Sequence, residues 1–186
     1  MDAFSYLSVF LSIILGLAIT QALQGVRGLV LARGTVRLFA PSLIWTGIVI
    51  LICVQSWWAS FGLVNVPSWN FLAFSMVIAQ ALCLYLLAAL VLPDIASDGG
   101  IDLEHHYFRQ RRWFHGTLFA MLLFSIVKDW VLSGHLPEPV NLGFHGFFGA
   151  LAVVSLATTS RFWHLALAPF VGAVIIAYIA LLFAQL

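Results

Sequence analysis

Phe71–Leu92 reads FLAFSMVIAQALCLYLLAALVL, without a single charged side chain and with one amide, Gln80. As a helix rising 1.5 Å per residue it would extend ~33 Å, the depth of a bilayer's hydrocarbon core. The run shows none of the strict alternation of a membrane β-strand, so a helix is the spanning form expected. Five further runs share this character, and the spans are read as Phe4–Val26, Pro41–Val64, Phe71–Leu92, Trp113–Leu132, Leu142–Thr159 and Phe162–Ala184. Charged residues make up 8% of the chain, against about 25% in an ordinary soluble domain. The expectation is an all-α membrane protein, a bundle of six transmembrane helices filling residues 1–186 as one integral membrane domain.

Basic residues set the expected orientation. Arg27, Arg33 and Arg37 separate the first two spans, Arg109, Arg111 and Arg112 separate the third and fourth, and Arg161 separates the last two. Alternating helices put all seven on one side and leave Lys128 on the other. By the positive-inside rule the arginine side is cytoplasmic and both termini face outward. Asp2 fits a translocated end. The first run has no basic flank and is longer than a signal-peptide core, so it is expected to stay in the mature protein. Trp45, Trp113 and Trp163 are expected near the inner interface and Trp69 and Trp130 near the outer one. Trp57 and Trp58 lie deeper, between helices or against lipid.

The outer loops are short. The sizeable loop, residues 93–112, is cytoplasmic. Asp98-Gly99-Gly100 marks a turn, and Asp102 suits the N-cap of a short interfacial helix, Leu103–Arg112, leading into the fourth span. Cys53 and Cys83 sit within apolar runs and read as packing residues, with no disulfide framework. The net charge of +1 gives no reason to expect a nucleic-acid partner.

Several residues could carry chemistry. Arg112-Trp113-Phe114-His115 opens the fourth span and Arg161-Phe162-Trp163-His164 opens the sixth. These spans run the same way, so both imidazoles should lie at one depth in the inner leaflet, with Pro169 expected to kink the sixth helix and free the Leu165 carbonyl. Such a constellation suits a lipid headgroup, a quinone or a haem. Arginine followed by aromatics is also how any helix leaves the cytoplasm. His105 and His106, with Asp98, Asp102 and Glu104, form a weak metal pattern because adjacent helical residues diverge by roughly 100°; no metal is expected.

Lys128 and Asp129 follow Arg112 too closely for both ends of that span to reach water unaided. They therefore either snorkel or sit within the membrane, where ionisable groups mark functional sites. Ser125 shares Asp129's face, and His135, Glu138 and His145 are candidates to complete a polar pocket. Gln55 and Gln80 should lie at similar depth near the midplane, as interhelical glue or as the lining of a polar path. Ser5, Ser8, Ser12, Gly16 and Thr20 form a stripe leading to Gln24 and Arg27, and Gly143, Gly146, Gly149 and Ala150 another. Both are expected to bring helices close, inside the bundle or between copies. No Walker loop, nucleophile elbow, HExxH or selectivity-filter sequence is present.

The stretches Tyr6-Leu7-Ser8-Val9, Gly16-Leu17-Ala18-Ile19-Thr20-Gln21, Val54-Gln55-Ser56-Trp57-Trp58, Tyr85–Pro93, His106-Tyr107-Phe108 and Arg111-Arg112-Trp113-Phe114 together resemble a family of small multi-pass inner-membrane proteins of proteobacteria, nearly end to end. That family carries no known activity, so the resemblance implies a bacterial inner-membrane location and transfers no functional residue. The reading that follows is a small oligomeric channel or transporter for an ion or small solute, with Lys128, Asp129, Ser125, Gln55, Gln80 and His145 along a path or pocket. The alternatives are a non-catalytic accessory or sensor subunit of another membrane complex, and a haem- or quinone-binding redox subunit built on His115 and His164. Partners expected are the bilayer and either further copies of the chain or another membrane protein; no cofactor is required, and no catalytic residue is assigned.

Overall fold

The computed structural model describes residues 3–66, 69–94 and 100–183. Asp2, Asp98, Gly99 and Ala184 lie outside the described residues. Six helices form the bundle: α1 Ala3–Leu31, α2 Ala40–Ala59, α3 Phe71–Val91, α4 Leu103–Ser133, α5 Pro139–Ala157 and α6 Arg161–Phe183. Each falls in a segment long and apolar enough to cross a membrane, and the protein is a multi-pass membrane protein. In lipid the backbone has no water to bond, so these runs must satisfy their amides internally. Burying apolar area gains little there, and the bundle is held by close packing and a few polar contacts.

Three helices depart from the expected spans. α1 continues past Arg27 to Leu31. α2 gives way at Ser60 to a 3-10 stretch, Ser60–Asn65, where Ser60 Oγ donates to the Trp57 carbonyl at 2.6 Å. The expected interfacial helix and fourth span are one rod, α4, of 31 residues and ~46 Å. Its start is fixed as anticipated: the Asp102 carboxylate accepts the His105 amide at 3.0 Å. α6 runs unbroken through Pro169.

α3 is the central strut, packed on α4, α1 and α2, while α5 leans on α4 and α6 on α2. α5 and α6 meet through aromatic side chains, Phe144 on Tyr178 at 4.6 Å and Phe147 on Phe170 at 6.1 Å between ring centroids. Two arms, α4–α5 and α2–α6, thus enclose a space instead of filling it. At the arginine-bearing end, β1 (Val36–Arg37) pairs in parallel with β2 (Ile101–Asp102). Arg37 reaches Asp102 at 3.1 Å and Arg161 reaches Glu104 at 2.7 Å, tying three loops to the start of α4.

Packing within the bundle departs from the expectation for Trp45 and uses neither small-residue stripe as a whole. Trp45 is no interfacial anchor: it is 2% exposed, edge-on to Phe114 at 5.2 Å. The Ser12, Gly16, Thr20 stripe faces out of the bundle, and no side chain comes within 4 Å of a Cβ built on Gly16. α1 instead buries Leu7, Leu11, Leu15, Ala18 and Ala22, and its hydroxyls fold back onto their own helix, Ser12 to the Ser8 carbonyl at 2.7 Å and Thr20 to that of Gly16 at 2.8 Å. On α5, Gly143 and Gly146 likewise have open space, Ala150 is exposed, and Gly149 alone of the stripe is packed, on Phe119. Cys53 and Cys83 are buried free thiols. Trp57 and Trp58 are partly exposed, and the Trp57 indole donates to Ser12 Oγ at 3.2 Å.

The cap gives a pH signature. The bond from the His105 amide, aided by the Arg37 charge, holds the Asp102 carboxyl below its usual 3.8. A pKa depressed in the folded state stabilises above the unfolded value and loses that contribution as pH falls through the folded one. Asp102→Ala is expected to lower Tm at neutral pH, with the wild-type and variant melts converging below pH 3.8. Detergent-phase melts across pH check this; a gap that widens in acid contradicts it.

Candidate functional site

A cavity of about 480 Å³ lies between the two arms, lined by side chains from all six helices and partly open to the outside of the bundle. Its floor is Trp45, in the second turn of α2, and the rest of its lining lies from mid-depth to the end of the bundle away from the arginines. The deeper wall is apolar, with Leu84, Leu118 and Met121. The polar wall carries Gln55, Gln80, Ser125, Lys128, Asp129 and His145, and adds Asn141 and Tyr178. The six polar residues singled out from depth alone are thus brought to one cavity. His135 and Glu138 are not part of its lining; both are exposed in the α4–α5 turn.

The hydrogen bonds divide this wall into closed and open groups. His145 Nδ1 lies 2.8 Å from the Asn141 carbonyl, which only accepts, so Nδ1 carries the proton. Nε2 is then the acceptor for Ser125 Oγ at 3.0 Å. Tyr178 donates to Asn141 Oδ1 at 3.4 Å. Lys128 Nζ lies 3.3 Å from Asp129 Oδ1, both side chains half-buried, which places the pair on the cavity wall. Gln55 and Gln80 are not glue: among the described residues neither amide makes a hydrogen bond within the protein.

Trp45 closes the cavity, and behind it lies the second polar cluster. His115 and His164 are both 0% exposed, their ring centroids 5.7 Å apart. Tyr107 Oη sits between them, 3.0 Å from His164 Nδ1 and 3.4 Å from His115 Nε2. His164 Nε2 faces the Thr158 carbonyl at 3.1 Å, so it donates, and Nδ1 accepts the Tyr107 hydroxyl proton. The phenol oxygen in turn accepts from His115 Nε2–H. The chain runs one way, His115 to Tyr107 to His164 to Thr158, and leaves His115 Nδ1 buried with no partner. The Trp45 indole N–H is also buried without one.

Of the repeated tetrapeptide, the structure brings the two histidines together and not the arginines. Arg112 is exposed, and Arg161 turns to Glu104. The buried guanidinium is Arg111, donating to the Leu156 carbonyl at 3.3 Å. That carbonyl belongs to the last turn of α5, where a cation meets the negative end of the helix. His164 uses the Thr158 carbonyl and not one freed by Pro169. A small cavity of about 10 Å³ between Trp45, Tyr107, Gln110 and Phe114 has room for one water. Around His105 and His106 the groups diverge: His106 Nε2 meets the Leu90 carbonyl at 3.1 Å, Asp102 takes Arg37 and Glu104 takes Arg161. Among the described residues no three metal-ligating side chains converge.

The missed residues had faint signals. Tyr107, Arg111 and His115 recur every four residues, a helical stripe, but the apolar end of span four had been set after the first two. Removing the bridging hydroxyl strands two buried ring nitrogens, at about 1–3 kcal/mol for each abandoned group. Tyr107→Phe is therefore expected to cost about 2 kcal/mol or more in unfolding free energy, measured by denaturation in mixed micelles. A loss below about 0.5 kcal/mol would show that the hydroxyl is not the bridge. The chain matches no protein-family model, and no curated protein and no solved structure is significantly similar to it, so the chemistry of the site is read from its own residues.

Proposed function

We propose that the protein is a carrier for a small organic solute in a bacterial inner membrane, with the 480 Å³ cavity as its binding site. The observation that carries this is a cavity with polar groups left open on its wall and a blind end at Trp45. Ligand sites of this size combine an apolar lining with a few convergent polar groups. A channel for ions needs a continuous wet path, whereas here an indole packed on Phe114 and His115 separates the cavity from the arginine-bearing end. With the arginines on the cytoplasmic side, both termini and the cavity face outward, and this is the outward-facing state. The lining comes from one copy, so the site needs no second chain to complete it.

Trp45 is the inner closure under this reading. Its indole N–H has no hydrogen bond to lose, and it lines both the large cavity and the 10 Å³ space beside Tyr107. Proteoliposomes loaded with a mixture of small metabolites and then diluted should lose a subset faster than empty vesicles, by mass spectrometry, while holding a proton gradient. Ala81→Phe, which fills the cavity from α3, should abolish that loss. Trp45→Ala should collapse the proton gradient at least about tenfold faster than wild type, a barrier change of about 1.4 kcal/mol. Retention of every metabolite, or free ion leakage through the wild-type protein, overturns the proposal.

A further inference from the structure

We infer that the cavity takes a small zwitterion with an apolar body, the chemistry of an apolar α-amino acid. The inference rests on the reading of the cavity as a solute site and names what fits it. Lys128 and Asp129 are the charged groups on its wall. They are neighbours in sequence, half-buried, of opposite sign and 3.3 Å apart, so the wall carries a dipole and no net charge. His145 spends both ring nitrogens within the wall, on the Asn141 carbonyl and on Ser125 Oγ.

This arrangement discriminates among solutes. A lone anion drawn to Lys128 meets the Asp129 carboxylate at nearly the same distance, and a lone cation drawn to Asp129 meets the ammonium. Inside a membrane, where charge is weakly screened, each gains little. A molecule with an ammonium and a carboxylate on one carbon, lying head to tail along the pair, is attracted at both ends. The donors and acceptors it needs are free: Lys128 bonds through one ammonium contact, and Asp129 Oδ2 makes no hydrogen bond within the protein. The Gln55 and Gln80 amides, also without protein partners, supply further neutral donors and acceptors, and Met121 and Leu84 face the apolar body.

The test uses the full chain in nanodiscs of phosphatidylglycerol alone, so that no lipid supplies a zwitterion. Four probes share the isobutyl body: L-leucine, 4-methylpentanoate, 3-methylbutylamine and 4-methylpentanamide. Leucine should bind by calorimetry and raise Tm, with each singly charged probe at least about tenfold weaker, the ratio for about 1.4 kcal/mol. Lys128→Ala and Asp129→Ala should each weaken leucine at least about tenfold while leaving the neutral amide unchanged. Lys128→Asp combined with Asp129→Lys, which restores the dipole in reverse, should recover part of the binding. Binding of the amide but not of leucine overturns the zwitterion and leaves the solute-carrier reading standing; equal binding of leucine and either half-molecule also overturns it. Phosphatidylethanolamine added to the discs that displaces leucine assigns the same chemistry to a lipid headgroup, and a disc series in which no probe binds refutes the inference outright.

Discussion

Inside a bilayer a polar group has no water to fall back on, and every one in this chain must find a partner within the protein or wait for one from outside. The backbone solves this by coiling into six rods. The side chains solve it in two ways. Closed circuits consume their own donors: the hydroxyls of α1 bond to the turn behind them, Arg111 sits on the end of α5, and His115, Tyr107 and His164 hand a chain of hydrogen bonds to the Thr158 carbonyl. Some buried atoms stay unpaired even there, His115 Nδ1 and Arg111 Nε among them, whereas Gln55, Gln80 and one oxygen of Asp129 stay open on a cavity wall that a ligand can reach. That contrast, more than the presence of polar residues at depth, separates what holds the bundle together from what is left for a ligand.

Depth along a helix was legible in the sequence, and azimuth around it was not. Apolar run length placed Gln55, Gln80, Ser125, Lys128, Asp129 and His145 at levels that one cavity could span, and it set His115 level with His164. It could not say that Arg111 faces inward and Arg112 outward, because one residue on a helix turns the side chain by roughly 100°. Trp45 shows the same gap. Its position near the end of a run suggested the interface, but packing against Phe114 and His115 buries it. The α1 stripe pointed to close approach by small residues, yet the leucine and alanine face is the one the neighbours take.

Other misses came from local rules overriding apolarity. Glu104, Arg109, Arg111 and Arg112 end the hydrophobic run, so the fourth span was drawn from Trp113. The Asp102 cap and a sequence free of proline and glycine up to Gly116 start the helix at Leu103, as the expected interfacial helix had it, and what apolarity hid is that this helix and the span are one continuous rod. The β1–β2 pairing involves two residues on each side, too short for any alternation to show. Tyr178 and Asn141 escaped notice because a tyrosine in an apolar helix and an asparagine in a turn both look ordinary alone; only the fold sets one against the other.

Two helices contribute to both polar clusters. α4 carries Tyr107 and His115 at one level and Ser125, Lys128 and Asp129 at the other, and α6 carries His164 and Tyr178. Between the levels stands Trp45 from α2. At the arginine-bearing end α4 and α6 are joined by the Tyr107 phenol oxygen, with bonds of 3.0 and 3.4 Å, and by the Arg161–Glu104 ion pair at 2.7 Å. The buried part of this joint is directional, because the one hydroxyl donates to His164 and accepts from His115, and the exposed ion pair carries charge that the buried part does without.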